Sequence, residues 1–124
     1  MIRYRVVYSQ IGVQMLTGKK QEIIEKAIAN RYQVTFTYRQ CFRVVNPHFD
    51  GLMNGQLQLH AYQVGGDSES GSVPEWRNFR VNDIENIAIS NQVFMTPDRG
   101  YNPDGAHYER IYKQVDFSYS PPFN

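Results

Sequence analysis

Ile2, Tyr4, Val6 and Tyr8 alternate with Arg3, Arg5, Val7 and Ser9, and this two-residue period of bulky side chains predicts a strand over 2–8. Residues 10–16 either extend that strand or turn back from it. From residue 17 the period changes. Ile23, Ile24, Ala27 and Ile28 share one face of a helix, Lys19, Lys20, Glu22, Glu25 and Lys26 fall elsewhere around it, and Glu22 with Lys26 forms a favourable i,i+4 pair. Thr17 is the candidate N-cap and Asn30, which tolerates the left-handed conformation, the candidate C-terminal residue, so the amphipathic helix is expected over 18–29.

Beyond the helix the period returns to two. Tyr32, Val34, Phe36 and Tyr38 alternate with Gln33, Thr35, Thr37 and Arg39 in the clearest strand of the chain. A second strand is expected over 42–46, ended by Pro47, and Asn54-Gly55 is a strong turn signal ahead of a third, in which Leu57, Leu59 and Ala61 alternate with Gln58, His60 and Tyr62. The stretch 65–74 (GGDSESGSVP) reads as a flexible hairpin loop, and 76–81 as a fourth strand. After a short turn at 82–85, Ile87, Ile89 and Val93 mark a fifth. Residues 95–105, with Pro97, Gly100, Pro103 and Gly105, should be irregular. Tyr108, Ile111, Tyr112 and Val115 are spaced for a short helix over 106–115, and the tail 118–124 should fray. The expected fold class is therefore α+β, mainly β: a small SH3-like or Sm-like barrel, or a strongly bent antiparallel sheet, with an N-terminal amphipathic helix and a short C-terminal one.

A chain of 124 residues fits one domain, 1–124, and 41% hydrophobic with 14% aromatic residues provide a core. The formal net charge of +1 gives no long-range attraction to nucleic acid or anionic lipid, so any such role must come from a local cluster of arginines. Cys41 is the only cysteine, which excludes an intramolecular disulfide, fits a reducing, cytoplasmic setting and disfavours a cysteine-based zinc site. His48, His60 and His107 are scattered without metal-ligand spacing, so no metal or cofactor is expected. No signal peptide or membrane-spanning segment is visible. No nucleophile–base or paired-carboxylate pattern stands out, and an enzyme is not expected.

Four pieces occur in order along the middle of the chain: IIEKAIANRYQVTFTY over 23–38, RVVNP over 43–47, GQLQLHAY over 55–62 and RNFRVNDI over 77–84. In order and spacing they resemble the WYL domain, a bacterial module with an SH3-like or Sm-like barrel. The resemblance implies a WYL-like core at about 18–94, followed by a C-terminal segment at about 95–117 that either caps the barrel or binds a partner. The triplet that names the family falls here on Leu57-Gln58-Leu59, where Gln58 puts an amide in place of an aromatic hydroxyl. Family members usually follow a winged helix, and 1–16 is too short to hold one, so the chain resembles the sensory half of a regulator.

The candidate ligand-binding set is Arg43, Arg77, Gln58, His60, Tyr62, Arg80 and Tyr38. Arg43 and Arg77 supply planar bidentate donors suited to phosphate or carboxylate. By alternation Arg77 and Phe79 share a face and Arg80 points to the other; alternatively these arginines are ordinary solvated residues paired with Asp50, Asp83 or Glu85. Gln58, His60 and Tyr62 share a polar face that is either a small groove or the solvent side of a half-buried sheet, and Tyr38 adds an aromatic for stacking. Trp76 is either a recognition aromatic or rim packing. The expected function is ligand sensing: a non-enzymatic module binding a small anionic ligand, such as a nucleotide or short nucleic acid, and acting on a regulator protein or on its own oligomeric state. The alternative is an interaction protein working through barrel oligomerisation or partner binding without a small ligand.

Overall fold

The computed structural model describes residues 2–67 and 73–118, with side chains from residue 16 onward; most of the expected loop and the expected frayed tail, at 68–72 and 119–124, lie outside the described residues. The chain runs α1 (Ile2–Asn30), β1 (Tyr32–Tyr38), β2 (Cys41–Met53), β3 (Gln56–Gly66), β4 (Glu75–Arg80), a 3-10 turn (Val81–Asp83), β5 (Glu85–Val93), a second such turn (Asp104–Ala106) and β6 (Arg110–Gln114). It is an α+β, mainly β fold: one helix on a six-stranded antiparallel sheet ordered β4-β3-β2-β1-β5, with β6 paired to β2. The sheet stays open, with β4 and β5 at its ends, so the closed-barrel form of the expectation does not apply.

The helix face read from the sequence is the face that packs. Ile24, Ala27 and Ile28 are fully buried against Val34, Phe36, Val45, Leu59, Ala61, Phe79, Val81 and Ile84. At the centre of this core Phe79 meets the rings of Phe36 (4.9 Å) and Tyr38 (5.0 Å) edge-to-face. The Asn54-Gly55 signal is a two-residue hairpin turn, with both residues at positive φ (53° and 71°) and Met53 paired with Gln56.

Four local expectations are corrected. Residues 2–8 are helical, not extended, and Thr17 does not start the helix. Once residues 18–30 are helical, adding a turn upstream costs far less than nucleating one. The Thr17 hydroxyl instead donates to Asn82 Oδ1 at 2.9 Å, and Lys20 donates to the Asn82 carbonyl at 3.2 Å. Asn30 is the last residue of α1, as expected, and the left-handed conformation falls on the residue after it, Arg31 (φ 56°). Arg31 is 2% exposed; its carbonyl accepts the Phe94 N–H, and its guanidinium donates to the Asp116 carbonyl and lies 5.4 Å from the Phe117 ring. Strand β2 runs through Pro47 because the register slips between Pro47 and Phe49, and a bulge is a place where a residue without an N–H can sit in a ladder.

The fourth correction explains the site. Residues 110–114 form β6, not a helix. Strand β1 pairs with β2 only as far as Val45, which would leave the same edge of β2 bare over Phe49–Leu52; β6 fills it, with Gly51 opposite Ile111 and Leu52 opposite Arg110. Gly51 is the point of closest approach, since a Cβ there would collide with the Arg110 carbonyl oxygen. Gly51→Ala is therefore expected to push β6 off its partner and to lower stability by about 2 kcal/mol or more in urea unfolding.

Candidate functional site

The structure divides the expected ligand-binding residues between two faces of the sheet. Tyr38, Arg43 and Arg77 lie with Phe79 on the side that carries α1. Arg43 is 3% exposed: its guanidinium donates to the Gln63 side chain (3.3 Å) and the Tyr38 carbonyl (3.0 Å) and sits over the rings of Tyr38 and Phe79. Tyr38 is 6% exposed, and its hydroxyl accepts the Arg80 N–H. Arg77 is paired to Glu75 at 2.8 Å, a partner two residues along the same strand rather than Asp50, Asp83 or Glu85. These groups brace the end of the core, where a ligand would have to displace hydrogen bonds already made.

Gln58, His60, Tyr62 and Arg80 lie on the opposite face, as strand alternation requires once His60 pairs with Asn78 and Gln58 with Arg80. This face is not bare. The segment between β5 and β6 folds over it and brings Tyr101 and Tyr108 onto Phe49, His48, His60 and Trp76. His60 is stacked between Phe49 (4.6 Å) and Trp76 (4.9 Å, planes 9° apart), and Trp76 stacks in turn on Tyr101 (5.7 Å). The His60 Nδ1–H donates to Asn78 Oδ1 at 2.7 Å, and the Tyr108 hydroxyl donates to the same oxygen at 2.7 Å. Burial lowers the His60 pKa despite the Asn78 bond, so the ring is neutral at pH 7. Trp76 belongs to this stack, with its Nε1–H on the Arg99 carbonyl (2.7 Å).

His48 was not among the expected site residues, and it organises the bulge of β2. It is fully buried, stacked on Phe94 at 5.0 Å and packed against Trp76 and Tyr101. Its Nδ1–H donates to the Asn46 carbonyl (2.9 Å), and its Nε2 accepts the Asp98 N–H (3.3 Å), which defines the tautomer. Asn46 donates to the Asp98 carboxylate at 2.9 Å and accepts from Gln33 at 3.1 Å, tying β1, β2 and the covering segment together. Burial pulls the His48 pKa down to about 4, with the Asn46 hydrogen bond opposing and His60 adding to the fall.

Beneath α1 lies a second missed group. Asp50 is fully buried; its Oδ1 accepts the Lys113 N–H at 3.0 Å, its Oδ2 has no hydrogen-bond partner among the described residues, and the Glu25 and Gln21 side chains lie close to the carboxyl group. Burial first, then the Glu25 carboxylate, raise the Asp50 pKa to about 8. A proton on Oδ2 makes the orphan oxygen a donor toward Glu25, so the neutral acid is the form that suits this site.

Two of the surface cavities among the described residues bear on ligand binding. One of about 330 Å³ lies between α1, the β2–β3 hairpin and the 3-10 turn after β4, lined by Thr17, Gln56, Leu57, Arg80, Asn82 and Asp83. The Arg80 side chain is exposed and makes no hydrogen bond or ion pair to another described residue, so among the expected arginines it is the one open to a ligand. The other cavity, of about 210 Å³, is lined by His60, Trp76, Gly100, Asn102, Gly105 and Ala106. Among the described residues no three His, Cys, Asp or Glu side chains gather as metal ligands, and no helix is long and apolar enough to cross a membrane. No protein-family model matches the chain, nor does any curated protein or solved structure.

Proposed function

We propose that the chain is a non-enzymatic, WYL-like sensing module that binds a small anionic ligand, a nucleotide or a short nucleic acid, with a regulatory role. The observation that carries this reading is the 330 Å³ cavity with the uncommitted guanidinium of Arg80 at its wall. That volume falls in the range of small-molecule sites, and Arg80 offers paired donors to phosphate while Gln56, Thr17 and Asn82 provide neutral polar contacts. Asp83 stands in the same wall and disfavours a bare anion without a donor group to meet it. An N-terminal helix followed by antiparallel strands, in the order the resemblance implies, supports the WYL-like part of the reading. Arg43 and Tyr38 contribute by holding the core beneath β4, not by touching the ligand.

The test is a thermal-shift series with mono-, cyclic and oligonucleotides on the wild type and on Arg80→Ala. A ligand at a hundred times its Kd stabilises the native state by about 3 kcal/mol, and the exposed Arg80 can be truncated without disturbing the core. A stabilisation that is lost in the variant is the expected result; no shift with any of the compounds removes the anion reading. A second reading rests on the sheet ends: among the described residues β4 and β5 each have one neighbour, and unpaired edges invite association with another chain. A stable oligomer in light scattering, indifferent to nucleotides, would favour that interaction role.

A further inference from the structure

The 210 Å³ cavity has its own chemistry, independent of the Arg80 reading. Its acceptor is His60. With Nδ1–H donated to Asn78 Oδ1, the remaining nitrogen, Nε2, carries a lone pair and makes no hydrogen bond to another described residue. The donor is Asn102. Its Oδ1 accepts the Gly105 N–H at 3.2 Å, and the two N–H bonds of its Nδ2 make no hydrogen bond to another described residue. The rest of the lining is small or flat: Gly100, Gly105, Ala106 and Trp76. Gly100 sits at φ 83°, and a Cβ on it would lie 3.5 Å from Trp76 Nε1, so a side chain there would be strained. No charged side chain lines this cavity, unlike the one at Arg80.

A neutral acceptor and a neutral amide donor on one small, partly aromatic cavity match a group that presents N–H and C=O side by side. That group is the edge of a cyclic amide. We propose that this cavity is a binding site for a small planar lactam, such as a pyrimidinedione ring, whose N–H donates to His60 Nε2 and whose carbonyl accepts from Asn102 Nδ2. The stack of Phe49, His60, Trp76 and Tyr101 holds the imidazole from both sides, and Asn78 with Tyr108 sets its tautomer, so the acceptor is oriented before the ligand arrives. An imidazolium would lose the acceptor, and the buried position of His60 keeps the ring neutral.

Trp76 is the only tryptophan in the chain and lines this cavity, so its emission reports binding there. Uracil titrated to about 10 mM is expected to change that emission with saturation, while 1,3-dimethyluracil, which has the same ring and no N–H, does not. Asn102→Asp keeps the oxygen that accepts the Gly105 N–H and replaces the donor by an acceptor. It should retain the wild-type melting temperature and weaken uracil by tenfold or more. His60→Phe should abolish the response, and its fold can be checked by the same melting curve. A flat titration, equal binding of the dimethyl compound, or undiminished binding by a folded Asn102→Asp protein would each overturn the assignment. None of these outcomes bears on Arg80, which does not line this cavity.

Discussion

His48→Ala is expected to lower the free energy of unfolding by about 3–5 kcal/mol, read by urea denaturation at pH 7. The ring is fully buried, touches Trp76, Phe94 and Tyr101, and satisfies both the Asn46 carbonyl and the Asp98 N–H. Truncation opens a hole among aromatic rings and orphans the Asn46 carbonyl in β2 and the Asp98 N–H in the covering segment. His48→Phe separates the two effects. It fills the site with a slightly larger aromatic ring and loses the hydrogen bonds, so its cost should fall to about 1–3 kcal/mol. A His48→Ala protein within about 1 kcal/mol of the wild type would show that the bulge does not depend on this residue.

The second large effect concerns Asp50 and appears as pH dependence. The native state holds the Asp50 proton up to about pH 8, whereas an unfolded aspartate releases it near 3.8. Between those values the native state binds the extra proton, so this contribution is complete at low pH and is lost as pH rises through 8. His48 has the opposite sign. The unfolded chain takes up its proton near 6.5 and the native state only near 4, so its contribution is complete above 6.5 and is lost as pH falls toward 4. In the shared window from about 4 to 6.5 the two slopes oppose each other, and above 6.5 Asp50 acts alone. Wild-type stability should thus be nearly level below pH 6.5 and fall by about 2 kcal/mol by pH 8.

Asp50→Asn makes the neutral form permanent. Its amide can donate toward Glu25 while its oxygen still accepts from Lys113, so the decline above pH 6.5 should disappear and the rise between pH 4 and 6.5 should emerge. His48→Phe should show the mirror image, a steady decline from pH 4 to 8. Parallel pH profiles for the wild type and Asp50→Asn would refute the buried neutral acid. Both residues come from β2, His48 at its bulge and Asp50 two residues further along. The strand that holds the stack under the covering segment thereby also controls how firmly α1 sits on the sheet.

Much of this was legible along the chain because the cause is local. The two-residue period of β1 and β3 follows from strand geometry, and it places Val34, Phe36, Leu59 and Ala61 in the core and Gln58, His60 and Tyr62 on the other face. It also separates Arg77 from Arg80. The 3.6-residue period marks Ile24, Ala27 and Ile28, and Asn54-Gly55 turns the hairpin because those residue types accept positive φ. The α+β, mainly β class follows from these elements alone.

Other features depend on partners far away in sequence, and no local pattern contains them. Ile111 and Tyr112 read as helical by spacing, yet β6 forms because β2 has an empty edge opposite Gly51 and Leu52. Arg43 reads as a ligand-facing cation until Gln63, Tyr38 and Phe79 enclose it. Asp50 is an ordinary acid until α1 brings Glu25 over it, and His48 an isolated histidine until a segment 50 residues later supplies Asp98. Sequence by itself determined which residues could be inside and which elements they would build, since short-range sterics and burial decide both. Only the tertiary structure decided which polar groups meet in the interior and which guanidinium stays open to a cavity, because desolvation and hydrogen bonding depend on the neighbours that folding delivers.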